Sequence, residues 1–245
     1  MFARFAALLT ILSLAPPAHA QDWNAQITPY AWGTGIGGTI TPRAGGPSLR
    51  FDKGLSDVLE DLDTAFFLTG YARYQRLVVM GDLSHSASSR RGTVPLPPPA
   101  PGLPARGRIE QSSLTLTAGY RALTTPDAMV DFMAGLRHWQ VEGRATTPVP
   151  GLAAGIDVSF TDPILAARTN LRLTDRWSFI GYVDVGGFGA GSDMTSQLVG
   201  TLNWQASDRL WLSAGYRHLY VDYSKNGRKF DATFSGPLAG LTLRF

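Results

Sequence analysis

Five side chains in this sequence have the types that acid–base or nucleophile-activating chemistry uses: Asp82, His85, His138, His218 and Asp222. An aspartate–histidine pair can activate water against a peptide bond, and a serine–histidine pair can attack an ester. No ordering of these residues forms a recognisable catalytic motif. The four histidines of the chain also lack metal-ligand spacing, so no metal and no cofactor is called for. The glycine-rich stretch Gly186-Gly187-Phe188-Gly189-Ala190-Gly191 has no helix after it, which excludes a phosphate cradle and leaves a flexible rim. A second set, Asp82, Asp131, Arg168, Asp184 and Arg217, has the chemistry of ion pairing. Whether that pairing happens depends on which elements hold these residues and which way they face.

Those elements alternate with a period of two. Leu114, Leu116, Ala118 and Tyr120 interleave with Ser113, Thr115, Thr117 and Arg121. Val130, Phe132, Ala134 and Leu136 interleave with Asp131, Met133, Gly135 and Arg137. Leu198, Gly200, Leu202 and Trp204 interleave with Gln197, Val199, Thr201 and Asn203. Such segments are strands with one apolar and one smaller or polar face. Ten of them run from Trp23 to Phe245. The connections after segments two, four, six and eight are short, at 75–76, 124–127, 174–176 and 207–209. The others are mostly longer or rich in glycine and proline: 34–62, 90–108, 143–155, the glycine-rich 186–191 and 224–231. Within the first, Leu55, Val58, Leu59 and Leu62 have helical spacing, which predicts a short amphipathic helix that either lids the structure or packs on its own strand ends. Val94 to Pro104 carries the prolines of a stiff extended loop. His218 to Tyr223 alternates poorly, which predicts either a bulge or the end of the membrane zone there.

The first twenty residues are of another kind. A positive start, a short apolar run from Phe5 to Leu14 and Ala18-His19-Ala20 make a cleavable export signal, with the mature chain starting at Gln21. Removing Arg4 leaves 21 basic against 19 acidic side chains, dispersed and mixed in sign, so nucleic acid is not a partner. There is no cysteine for a lipid anchor or a disulfide, and no apolar run is long enough for a transmembrane helix.

An exported, glycine- and aromatic-rich chain of alternating segments with short and long connections in turn reads as an all-β, antiparallel, up-and-down transmembrane barrel. Ten strands are expected, eight or twelve if segments have been split or merged, in a single domain over 21–245. The closing run, Gly236 to Phe245, puts Ala239, Leu241, Leu243 and Phe245 on one face and ends on an aromatic, as the last strand of an outer-membrane barrel does. The chain's partners are then outer-membrane lipids, lipopolysaccharide, and the barrel assembly machinery acting through that strand. Counted up from the short turns, Asp131, Arg168 and Asp184 lie four, five and seven residues along neighbouring segments, all with inward parity. At about 3.3 Å per residue these heights agree within the reach of a guanidinium plus the shear of the barrel. Asp82 and Arg217 sit at similar depth, so a cross-linked acid–arginine layer that narrows or closes the bore is expected; a wet channel is the alternative.

Several phrases carry a resemblance: Ile27 to Gly33, Phe160 to Pro163, Asp184 to Asp193, Gly215 to Tyr223 and Gly236 to Phe245. Together they resemble a family of bacterial outer-membrane β-barrel proteins of unassigned function. The resemblance implies a fold and a compartment, and no activity or site residue. Function then divides between a non-enzymatic barrel, either a narrow or closed channel or a structural or surface-interaction protein, and an enzyme acting on lipid A or peptides through an outer-rim Asp/His site. Phe245 is the expected insertion signal. Deleting it should lower the outer-membrane level of the protein, measured by membrane fractionation; unchanged levels would remove that role.

Overall fold

The computed structural model describes residues 23–41, 49–94, 102–149, 153–225 and 227–245. The export signal and most of the proline-rich stretch lie outside the described residues. In chain order the elements are β1 (Trp23–Trp32), β2 (Gly35–Thr41), β3 (Leu49–Lys53), α1 (Leu55–Asp61), β4 (Leu62–Tyr74), β5 (Leu77–Val94), β6 (Leu103–Thr124), β7 (Ala128–Thr146), β8 (Ala153–Arg172), β9 (Trp177–Gly187), β10 (Met194–Gln205), β11 (Leu210–Lys225) and β12 (Arg228–Arg244). Each strand from β4 to β12 pairs antiparallel with the next, and β1 pairs with both β4 and β12. The wall is therefore a closed ten-stranded barrel, as the alternation predicts. The β2–β3 hairpin hangs from the outer part of β12, above the point where β1 leaves it. At the seam the Phe245 amide donates to the Ala25 carbonyl at 2.9 Å, so the last residue takes part in closure.

The outward face follows the predicted parity. Leu116, Phe132, Leu171, Val183, Leu202 and Leu241 are all exposed on the outside of the wall. Near the short turns the band ends in aromatics. Trp23 lies 5.0 Å from Tyr74, Trp177 lies 6.5 Å from Trp204, and Arg76 donates to the Tyr120 hydroxyl at 2.6 Å. Such amphipathic rings suit a membrane–water interface.

Three expectations change. The segments 90–94, 103–108, 143–146 and 153–155 are strand, because β5 to β8 run on as long paired hairpins well beyond the ~9–11 residues that cross a bilayer. The insertion 34–62 is a hairpin followed by the helix rather than a loop with a helix. No bulge interrupts 218–223, since β11 pairs with β12 in one register from Leu210↔Leu243 to Lys225↔Arg228. The register shifts fall instead at Leu62/Thr64 and Arg121/Leu123. Helix α1 packs across the outer strand ends. Val58 is buried there, and Lys53 and Arg90 bind Asp61 at 2.6 and 3.5 Å. The Lys53 hydrogen bond holds the Asp61 carboxyl below its ordinary pKa.

On β6 the outward residues run from Tyr120 at the aromatic end to Ser112, with Leu116 halfway. Leu116→Arg should cost roughly 2–4 kcal/mol, the value for a lipid-facing midplane cation, while Leu77→Arg beside a turn should cost about 0–1 kcal/mol. A denaturant titration of refolded protein reads both. Equal losses would mean that Leu116 does not lie at mid-membrane.

Candidate functional site

The chemistry of this chain is gathered inside the barrel. Four aspartates and four arginines, Asp82, Asp131, Asp162, Asp184, Arg121, Arg137, Arg168 and Arg217, are buried there. Strand register assembles them. Asp131 stands directly opposite Arg121 on one side and Arg168 on the other. Arg121 Nε donates to Asp131 Oδ1 at 2.7 Å, and its Nη2 donates to the Tyr71 hydroxyl, which in turn donates to Asp131 Oδ2 at 2.9 Å. Arg168 reaches the same carboxylate through Nη1 at 3.5 Å and lies over the Tyr71 ring, 4.4 Å from its centre.

Two further groups lie deeper. Arg217 joins Asp82 across 135 positions of sequence at 3.2 Å, and donates to Gln197 Oε1 at 2.7 Å and to the Tyr30 hydroxyl at 2.5 Å. Asp82 also accepts from Tyr30 at 2.9 Å and Thr69 at 2.7 Å. Arg137 grips Asp184 with both ends of its fork, at 3.0 and 2.5 Å, while Nε donates to Thr115 at 3.0 Å. Two-point pairing of this kind fixes orientation as well as charge.

All five residues of the expected layer therefore face the lumen, and Asp131–Arg168 and Asp82–Arg217 do meet. Asp184 does not meet Arg168. It stands beside Ala166 on β8, and its partner is Arg137 on β7. A count up each strand leaves the amount of stagger between strands open, and that stagger decides the neighbour. Arg121, Arg137, Tyr30 and Tyr71 complete the network; their inward parity was in the alternation, and their partners were not.

Asp162 has a different partner. It accepts from the Ser192 amide at 2.6 Å and the Ser192 hydroxyl at 2.8 Å. The glycine-rich β9–β10 connection is thus latched to the wall rather than forming a flexible rim. Gly187, at φ +89°, makes the turn, and a Cβ on Gly191 would collide with the Thr161 carbonyl and the Asp162 carboxylate.

Toward the outer end the interior becomes apolar. The next inward residue beyond Arg137 is Trp139, beyond Asp162 is Phe160, beyond Arg217 is Leu219, beyond Thr69 is Phe67 and beyond Tyr30 is Trp32, and all five are buried. With Val221, Phe230 and Phe234 they form one cluster across the bore. Trp139 stacks between Phe160 and Phe234 at 6.3 and 6.4 Å.

The three histidines among the described residues, His85, His138 and His218, stand apart from all this. Each lies on the outward face and bonds a hydroxyl on the next strand: His85 to Ser112 at 2.9 Å, His138 to Thr161 at 2.9 Å and His218 to Ser235 at 2.6 Å. Asp82 and His85 are an odd number of residues apart on one strand, so they face opposite sides of the wall. Asp222 shares the His218 face but lies about 13 Å farther along at about 3.3 Å per residue. Burial, then its neighbours Asp231 and Asp193, push the Asp222 carboxyl above its ordinary pKa. The expected Asp/His pairs do not form.

No family model and no curated protein matches this chain. Among solved structures it is similar to the outer membrane protease OmpT from Escherichia coli, at 10% identity, with 94% of this chain and 99% of that chain covered and a TM-score of 0.55. The β domain of the Bordetella autotransporter BrkA aligns at 14% identity over 91% and 98% of the two chains, with a TM-score of 0.49. Ail, the attachment invasion locus protein of Yersinia pestis, aligns at 12% identity over 91% and 99%, with a TM-score of 0.36. The likeness is one of fold.

The network ranks its own members. Arg137→Ala strands Asp184, and breaking a buried pair in this way costs about 3–5 kcal/mol. Arg168→Ala leaves Asp131 with Arg121 and Tyr71, so the loss should be clearly smaller. The double variant Arg137→Ala/Asp184→Ala should recover part of the first loss. Denaturant titrations give all three values, and equal losses for the two single variants would contradict the pairing.

Proposed function

We propose that the protein is a non-enzymatic outer-membrane β-barrel with a sealed bore, whose work is done on its outer surface. The export signal at 1–20 and the mature domain at 21–245 belong to this reading. Lipopolysaccharide against the outward band and the assembly machinery acting on β12 are its partners. One observation carries it: the lumen is filled twice in succession, by a network of ion pairs and then by an aromatic cluster. A hydrated path would have to break both. Beyond the seals, β5 to β8 continue into a long sheet whose outward positions turn polar, with Arg106, Arg108, Glu142, Arg144 and Asp157 exposed and Glu110 half-buried. That sheet is the part of the molecule offered to the surroundings. The enzymatic alternative has no Asp–His pair to rest on.

Planar-bilayer recording of the refolded protein tests the seal. No unitary conductance steps are expected from the native sequence. Stable steps of the size an open porin gives would overturn the reading.

A further inference from the structure

Beneath the aromatic cluster lies a cavity of about 110 Å³. Leu238, a member of that cluster, is part of its roof, and Gln26, Asn203 and Thr242 line it toward the short-turn end. Arg168 and Arg217 both border it. We propose that this chamber binds one small anion, of the class of chloride, nitrate or formate, entering from the periplasmic side and held on the guanidinium of Arg168.

The argument is a count of donors against acceptors. Asp82 also borders the chamber, but its oxygens already accept from Tyr30, Thr69 and Arg217. Asp131 is likewise filled by Arg121 and Tyr71. On the donor side, Arg168 spends one nitrogen on a 3.5 Å contact, and no other protein hydrogen bond holds its guanidinium among the described residues. Arg217 offers no donor to the chamber: its two Nη groups are taken by Tyr30, Asp82 and Gln197, and its Nε is buried away from the chamber surface. Arg168 itself is buried, and unpaired donors on a buried cation are costly, so something must accept from them. Charge points the same way. Asp131 faces two arginines, Arg121 and Arg168, so this end of the network carries one uncompensated positive charge. Water, at roughly 30 Å³ each, has room but supplies no charge. A small anion supplies both the acceptors and the missing negative charge.

The site and the sealed bore stand on different observations, and different measurements test them: conductance reads the seal, anion binding reads the chamber. Chloride itself is the probe. The refolded mature chain in uncharged detergent should broaden the ³⁵Cl resonance saturably, and nitrate or formate should relieve the broadening. Arg168→Gln should weaken the effect at least about tenfold. Thr201→Leu, which fills the chamber from its wall without touching an ion pair, should do the same and carries the test if Arg168→Gln does not fold. Arg172→Gln, at an exposed turn site, should behave as the native chain. No saturable broadening by the native protein, as for a chamber that holds water alone, would overturn the proposal. So would native-like binding by Arg168→Gln or Thr201→Leu.

Discussion

A barrel wall of ten strands leaves a bore slightly wider than side chains of ordinary length can fill. That constraint accounts for the residues inside. The inward positions that bridge the bore are arginine, tyrosine and tryptophan, the longest and flattest side chains available. Arginine does this better than lysine, because its planar fork can hold a carboxylate at two points and stack on a ring at the same time. Arg137 holds Asp184 at two points, and Arg217 binds Asp82 through one nitrogen while lying 4.5 Å from the Trp32 ring centre. The links join residues far apart in sequence, Tyr71 to Asp131 and Arg137 to Asp184 among them. Buried ion pairs are weak evidence of stability. Here their geometry ties distant strands together across the lumen and so sets the shape of the barrel.

The second feature of the interior is a reversal of polarity along single strands. On β7, Phe132, Ala134 and Leu136 face outward opposite Asp131 and Arg137. Farther along the same strand, with parity unchanged, Trp139 and Val141 face inward and Gln140 and Glu142 face outward. The solvent explains it. Inside a bilayer the apolar face belongs outside. Past the bilayer the outer face meets water, and a sheet there has a dry side only within the cylinder. The aromatic cluster is the hydrophobic core of this projecting part, and it seals the bore as a consequence.

This reversal also decides what was legible in the sequence. Parity on the membrane-spanning parts could be read directly, because one solvent rule holds along each segment; hence the outward leucines and the inward Asp82, Asp131, Arg168, Asp184 and Arg217. The projecting parts were misread where the rule changes sign. His218 to Tyr223 looked irregular because its inward residues, Leu219 and Val221, are apolar. Residues 143–146 and 153–155 looked like a loop because small residues occupy a wall with water outside. Pairings inside the lumen were out of reach for another reason. They depend on strand stagger, a property of the closed cylinder that no single segment contains.

The three histidines mark where the rule changes. On β7 the outward run is Leu136, His138, Gln140, Glu142; on β5 it is Leu83, His85, Ala87, Ser89; on β11 it is Tyr216, His218, Tyr220, Asp222. In each case histidine is the first outward residue past the apolar band, and a hydroxyl on the next strand takes one of its ring nitrogens. A ring that is apolar in body and polar at its tips suits that boundary, as tryptophan and tyrosine suit the opposite one. Their position is thus explained by the depth at which the surroundings change from lipid to water, and it requires no substrate.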